Sequence, residues 1–310
     1  MVEQIRLIIL LKLRGGFVIR KVYAKLKSEG IRSLLKVLYH YLIPLRLEYY
    51  PTCRGLFQTG VGLEIGGPSN IFGQRGVIPV YPDAKKIDNI NFSHNTVWEG
   101  GISEDKGFFF NKGTAHGCQY VGEASNLEMI GDSSYNFILS SHCIEHVANP
   151  IKALIEWNRV LKQDGMLVLV VPHKEGTFDH KRPVTTLEHL IEDFDNQTNE
   201  GDMTHLEEIL RLHDLSKDPG AGEFVAFEER SKRNKENRCL HHHVFDTKLA
   251  IEMVNHIGHE ILAVELFMPY HIVIVSRKTE ADGLVNNEEY RSDTAVHYMN
   301  SPFALDQIRA

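Results

Sequence analysis

The residues in this sequence whose types and spacing could do chemistry fall in three separate stretches. Val61-Gly62-Leu63-Glu64-Ile65-Gly66-Gly67-Pro68-Ser69 is an apolar run that reaches an acid and then breaks into two glycines and a proline. Such glycines allow φ > 0 and close approach of a ligand to the main chain, and Pro68 suits the first position of a following helix. His142-Cys143-Ile144-Glu145-His146 spells His-x-x-Glu-His, the inverted zinc-peptidase pattern. That chemistry needs both histidines on one helix face, with the Glu beside a metal-bound water. A zinc hydrolase using His142, Glu145 and His146 is therefore a minor alternative, opposed by the strand before the motif and the helix cap at Asn149 after it. Finally, residues 173–243 carry eight of the seventeen histidines, among them His180, His205, His213 and the run His241-His242-His243. A histidine titrating near neutrality can take a proton from a hydroxyl. Histidines with carboxylates can also hold a divalent metal, although three consecutive histidines point in different directions and rarely supply three ligands.

The elements that must position these groups belong to a globular protein. At 310 residues, with 24% charged and 43% hydrophobic residues, the chain can bury a sizeable core. Its four scattered cysteines form neither a Cys-x-x-Cys pair nor a disulfide framework, which fits a reducing cytosol. The net charge of -7 hides an asymmetry: residues 1–46 hold ten Lys/Arg against two acids, leaving 24 against 39 elsewhere. So acidic a body is ill suited to gripping nucleic acid, and no nucleic-acid partner is expected. Residues 1–46 read as basic amphipathic helices, from Ile5, Ile8, Ile9 and Leu13 to Ile31, Leu34, Leu35, Leu38 and Leu42, with apolar runs too short to span a bilayer. They could lie on the inner face of an anionic membrane or cap the ligand cleft, so the expected location is cytoplasmic with peripheral membrane contact as an option.

Strands are expected at Val61–Ile65, 86–93, 118–121, Tyr135–Ser141 and 166–171, with a short helix at most over 72–83 and loop over 94–117. Asn149 can cap a helix that Pro150 opens and Gly165 stops. The uniformly apolar run from Met166 to Val171 suits a central parallel strand covered on both faces. A helix from about Asp246 to His256 precedes two strands, 260–266 and 271–276, close enough for an antiparallel hairpin. Beyond Arg277 the sequence is polar and aperiodic, as in a loose tail. Alternating strands and helices argue for a parallel α/β sheet.

The assembled pattern resembles the class I S-adenosylmethionine (SAM)-dependent methyltransferases, above all the small-molecule type, from Val61 to Pro172 and again at the hairpin. The carriers are Leu63-Glu64-Ile65-Gly66-Gly67, Glu123-Ala124-Ser125-Asn126-Leu127, Ser141-His142-Cys143-Ile144-Glu145-His146, and the helix and strand from Ala153 to Pro172 with Asn158-Arg159-Val160-Leu161-Lys162. Pro68 stands where the family's second glycine would be. The resemblance implies a Rossmann-like α/β sheet, mostly parallel with a C-terminal antiparallel hairpin. It implies that Glu64, Gly66, Gly67 and Pro68 lie against the methionine part of SAM, with Glu64 organising contacts to its ammonium group. Asp88 and Asn91 are candidates for the ribose hydroxyls, Asn91 aligning with the usual acid and Asp83 remaining in view. Glu123 and the Ala124 backbone would meet the adenine, and Ser141 and His142 would border the methyl group.

The expected organisation is a basic helical extension (1–58), a methyltransferase domain (59–277) with an acceptor-binding insertion (173–243), and a polar tail (278–310). The expected function is SAM-dependent methyl transfer to an oxygen of a small molecule, sugar or polysaccharide precursor. His142, His180 and His242 are the candidate catalytic residues, and a divalent metal is a further candidate cofactor. Arg182 could pair with an acceptor's carboxylate or phosphate, or with the insertion's own acids. A SAM-binding partner subunit without catalytic activity is the alternative.

Overall fold

The computed structural model of the chain describes residues 45–96, 100–110, 117–280 and 285–308. The helices expected over 1–46 lie, apart from Leu45 and Arg46, outside the described residues. β1 (Val61–Ile65), β2 (Lys86–Asn91), β3 (Gln119–Val121), β4 (Tyr135–Ser141), β5 (Leu161–Pro172), β6 (Glu260–Phe267) and β7 (His271–Arg277) form one sheet in the order β3-β2-β1-β4-β5-β7-β6. β1 to β5 pair in parallel, and β7 runs antiparallel to both β5 and β6. The chain moves outward from β1 to β3, then returns to β4 on the other side of β1. That reversal opens a crevice beyond the carboxyl ends of β1 and β4, where open α/β sheets bind ligands.

The period-2 alternation of the strands divides the core between the two sheet faces. Leu63, Ile65, Ile138, Leu167, Leu169 and Val171 pack on one side with Trp157 and Leu154; Ile87, Phe137, Leu139, Val168 and Val170 pack on the other. The second side is covered by α1 (Tyr50–Thr59), whose Phe57 ring meets Phe137 edge-on at 5.0 Å. Leu47, Tyr50, Cys53 and Phe57 are all buried there, so the end of the expected extension is part of the core.

After β1, Pro68 does not open a helix: Ser69 leads into a 3-10 turn at Asn70–Phe72, and the only α-helix before β2 is α2 (Val80–Asp83). Asn149 caps α3 (Pro150–Val160) by accepting a hydrogen bond from the Lys152 amide at 3.0 Å. Gly165 does not stop this helix. The chain turns extended at Leu161, which pairs with Tyr135, so Gly165 lies inside β5.

The insertion contributes α4 (Leu187–Asp195), whose Leu190 joins the main core, and α5 (Leu206–Leu212), α6 (Phe224–Lys232) and α7 (Asn234–Asn237), which have a small core of their own in Ile209, Ala221, Phe227 and Leu240. α8 (Thr247–His256), capped by Asp246, leads into the hairpin. The expected loose tail is instead docked as α9 (Glu288–Arg291), α10 (Val296–Met299) and α11 (Ala304–Gln307). Asp306 is buried and accepts hydrogen bonds from Thr247 and Ser301, while Phe303 stacks on His173 at 4.0 Å. A polar sequence can dock in this way when its polar groups find fixed partners, which periodicity does not reveal. No helix among the described residues is long and apolar enough to cross a membrane.

Candidate functional site

A cavity of about 580 Å³ opens at the crevice between β1 and β4, within the range of about 300–1,000 Å³ usual for ligand sites. Its floor is the turn after β1. Gly66 lines it with φ +79°, and its amide donates to Ile90 O at 2.9 Å, so the turn is tied to β2. Asn89 accepts from the Gly67 amide at 3.0 Å, and Asn91 donates to the Gly67 carbonyl at 2.9 Å. Pro68 and Ser69 continue the wall.

Glu64 lies behind this turn, outside the cavity lining. It is fully buried and accepts from the Ser69 amide at 3.0 Å and the Tyr81 hydroxyl at 2.7 Å. A Cβ on Gly67 would fall 2.3 Å from its carboxyl carbon, so Gly67 is the residue that lets the turn close over the acid. Burial pushes the Glu64 carboxyl up to about 7, although Tyr81 and Ser69 pull it down. The folded protein therefore binds this proton more tightly than the unfolded chain. The resulting stability is fully present below about pH 4.3 and is lost as pH rises through about 7, a change on the order of 3 kcal/mol. Denaturant titrations across pH 4–8 should show this slope in the wild type and a flatter one in Glu64→Gln; parallel curves would show that Glu64 does not titrate there.

The next wall comes from the ends of β2 and β3. Asn91 lines the cavity, but Asp88 does not: its carboxylate accepts from the Cys118 amide at 2.7 Å and the Tyr135 hydroxyl at 2.9 Å. Asp83 is likewise turned away, bridging Arg54 and Tyr50. Glu123 and Ala124 line the cavity and are fixed by α3 beneath them. Trp157 donates to Ala124 O at 2.8 Å, Arg159 donates to Leu127 O at 2.9 Å, and Glu156 accepts from the Leu127 amide at 3.0 Å. Glu123 is ion-paired with Arg238 from the insertion, whose guanidinium stacks on Phe92 at 5.0 Å.

Opposite lie Ser141 and His142 at the end of β4, with Tyr270 and His271 at the start of β7. His142 has φ +51°, and its Nε2 shares a 2.8 Å hydrogen bond with Nδ1 of His271. Behind it, Glu145 Oε1 lies 3.6 Å from His142 Nδ1. Burial, reinforced by His142, lowers His271 to about 4, so it is neutral at physiological pH. Burial raises the Glu145 carboxyl, yet the hydrogen bond from His142 and the nearby histidines outweigh this and keep it ionised.

His146 also lines the cavity, with Nδ1 on Leu240 O at 3.0 Å. His241 packs edge-on against it at 4.5 Å, its own Nδ1 on Asp179 Oδ2 at 2.5 Å. Glu145, His146 and His241 each offer a ligand atom within 4.8 Å of the others, and Glu145 Oε2 has no hydrogen-bond partner. This trio is sterically able to hold a cation beside the cavity. The zinc-peptidase arrangement is absent, because Ile144–His146 is a single 3-10 turn and His142 is engaged with His271.

The remaining expected catalytic residues are elsewhere. His180 is partly exposed and bonds Asp214 at 2.8 Å, outside the cavity lining. His242 is buried in the insertion, bonded to Asn234 at 3.1 Å and lowered by burial to about 4. Arg182 meets no ligand site: it is buried against Asp179 and Glu208. Sequence reasoning missed His271, Tyr270, Arg238 and Glu200, all of which line the cavity. For the first two a signal existed, since an antiparallel strand beside β5 must begin where β5 ends, and His271 pairs with Pro172.

A family profile described as a methyltransferase domain matches residues 104–169. No curated protein sequence matches the chain. Among solved structures, a SAM-dependent methyltransferase from Methanosarcina mazei is similar at 18% identity and TM-score 0.43, over 76% of this chain and 99% of its own. SAM-dependent methyltransferases from Mesorhizobium loti (11% identity, TM-score 0.41, 74% of this chain and 97% of that one) and Aquifex aeolicus (13%, 0.38, 74% and 88%) are similar too. Likeness at this level carries no argument by itself; the weight rests on the profile match and on the strand order with its antiparallel β7. The methyltransferase-domain profile over residues 104–169 and the seven-stranded sheet with its antiparallel β7 support a class I SAM-dependent methyltransferase, an enzyme. The cavity fits the cofactor this implies: the main chain at Gly66 is bare toward it, and an amide and a carboxylate, Asn91 and Glu123, stand on the adjoining wall.

Proposed function

We propose that this enzyme transfers the methyl group of SAM to an oxygen of a small molecule, a sugar or a polysaccharide precursor. SAM, when bound, supplies an electrophilic methyl group on a sulfonium. The task left to the protein is to orient a hydroxyl and accept its proton. The observation that carries the reading is the line Glu145–His142–His271 at the cavity wall. With Nδ1 of His271 donating to Nε2 of His142, the ring nitrogen of His271 left for an acceptor hydroxyl is Nε2. A proton taken there is matched by passage of the Nδ1 proton to His142, whose charge Glu145 then balances. Tyr270, Glu200, Arg238 and Asn70 add polar groups to the walls, which suits an acceptor rich in hydroxyls. The free cysteines favour a reducing, cytoplasmic setting.

His142→Ala and His271→Ala should each lower kcat by about 10²–10⁴-fold with SAM affinity retained, and should shift the acidic limb of the kcat profile. Unchanged kcat in both, or transfer only to protein, RNA or a nitrogen acceptor, would overturn the reading. A second reading is favoured by Glu145, His146 and His241: both imidazoles are anchored through Nδ1, which leaves Nε2 available to a divalent cation. It predicts loss of activity in His241→Gln that is restored by excess metal.

A further inference from the structure

The insertion carries another convergence of ligand atoms, away from the cavity. His189 and Asp193 stand one turn apart on α4, His205 precedes α5, and His243 lies on the segment returning to the sheet. His189 Nε2 is 3.0 Å from His205 Nε2 and 3.4 Å from Asp193 Oδ2, and His243 Nε2 is 3.7 Å from that same oxygen. One ligand atom from each of the three histidines lies within 4.8 Å of the others. A tetrahedral zinc with bonds of about 2.0–2.1 Å separates its ligand atoms by about 3.3–3.4 Å. The observed spacings bracket that edge.

His189 Nε2 and His205 Nε2 share a hydrogen bond, but the other two atoms are poorly served by the protein alone. Asp193 Oδ2 is buried and has no hydrogen-bond partner, and His243 Nε2 has only Ala148 O at 3.4 Å, the limit of a hydrogen bond. Buried polar atoms normally find partners, so the two poorly partnered atoms among these four point to a missing one. Around the set stand Glu192, 4.0 Å from His189 Nδ1, and Asp202, 3.9 Å from His242 Nδ1.

We propose that His189, Asp193, His205 and His243 form a closed structural zinc site that holds the insertion together. The segments it would join are far apart in sequence and rest on different cores: α4 packs through Leu190 on the main core, whereas the rest of the insertion has a core of only four buried residues, Ile209, Ala221, Phe227 and Leu240, which is meagre for its length. A metal is the usual supplement to so small a core. The site also has a consequence for the cavity. His243 follows the segment whose Leu240 carbonyl holds His146, and Arg238 and Glu200 of the same insertion line the wall. A cation with all four positions filled by protein performs no chemistry; it fixes the acceptor side of the cavity. The proposal is independent of the methyl acceptor and of the cation reading for Glu145, His146 and His241.

The test is metal content of the purified full-length chain, followed by zinc titration after dialysis against a chelator. One zinc per chain is expected, with a melting temperature lower by on the order of 5 °C or more once zinc is removed, and regained on its return. Cobalt(II) should replace zinc and give the intense visible absorption of a tetrahedral site. His205→Cys keeps a ligand and should add a thiolate-to-cobalt charge-transfer band in the near ultraviolet; His241→Cys should not. A wild type that binds neither zinc nor cobalt at micromolar concentration overturns the proposal. So does a charge-transfer band that appears in His241→Cys and not in His205→Cys, since the metal would then sit beside the cavity.

Discussion

Gly66→Arg is expected to abolish saturable binding of SAM and of its demethylated product, raising Kd at least about 100-fold in calorimetric titration, while the variant stays folded. Gly66 is at φ +79°, a conformation that costs a side-chain-bearing residue about 1–2 kcal/mol. A Cβ there would approach Cys143 Sγ at 3.3 Å, a close contact but one against a single side chain. The sheet is little disturbed, because the turn remains tied through the Gly66 amide to Ile90 and through Gly67 to Asn89 and Asn91. The arginine side chain, however, would enter the cavity that Gly66 lines. Circular dichroism and thermal melts separate lost binding from lost fold. A folded variant that binds as the wild type does would show that SAM does not rest on this turn, and a folded wild type that binds neither ligand would remove the turn's assigned purpose.

The sheet was legible because its central strands are apolar on both faces: Leu167 to Val171 are all buried, as an uninterrupted run demands. The cofactor side was partly legible for a related reason. Turn glycines and strand ends are local features, and Gly66, Asn91, Glu123, Ala124 and Ser141 all reach the cavity. Asp88 and Asn91 were paired as candidates although strand alternation separates their faces. Asn89 and Asn91 share the face toward Gly67, and Asp88 points to Tyr135 and Cys118. Glu64 was placed beside the ligand, whereas its short reach and full burial make it the buttress of the turn. The insertion was the least legible part. Nothing in the spacing of eight histidines tells which face a cavity, a carboxylate or each other. His180 is held outward by Asp214, His242 inward by Asn234, and the imidazoles that line the cavity, those of His142, His146 and His271, lie outside the insertion altogether.

A buried arginine ties the start of the insertion to α5 and to its return segment, and its removal should have a large effect on stability. Arg182 is 1% exposed and donates to Asp179 Oδ1 at 3.0 Å, Glu208 Oε1 at 2.8 Å, His241 O at 2.8 Å and His242 O at 3.4 Å. Arg182→Met keeps much of the volume and removes every one of these bonds, leaving Asp179 buried with His241 as its remaining partner. Losing one member of a buried ion pair costs about 3–5 kcal/mol, because the other charge stays desolvated. Burial pushes the Asp179 carboxyl up, but His241 and Arg182 outweigh it and hold it at about 2. Its stabilising contribution is thus present above the unfolded value near 3.9 and is lost as pH falls through about 2. In Arg182→Met the carboxyl should rise, moving acid unfolding to higher pH, which urea melts from pH 3 to 7 would reveal. Freed carbonyls at His241 and His242 would also loosen Leu240, whose own carbonyl holds His146 at the cavity wall. The variant should therefore raise KM for the acceptor well beyond any change in SAM affinity. A loss below about 1 kcal/mol with KM unchanged would mean that the insertion is held by something other than Arg182, and the four-ligand cluster at His189, Asp193, His205 and His243 would then be the element left to hold it.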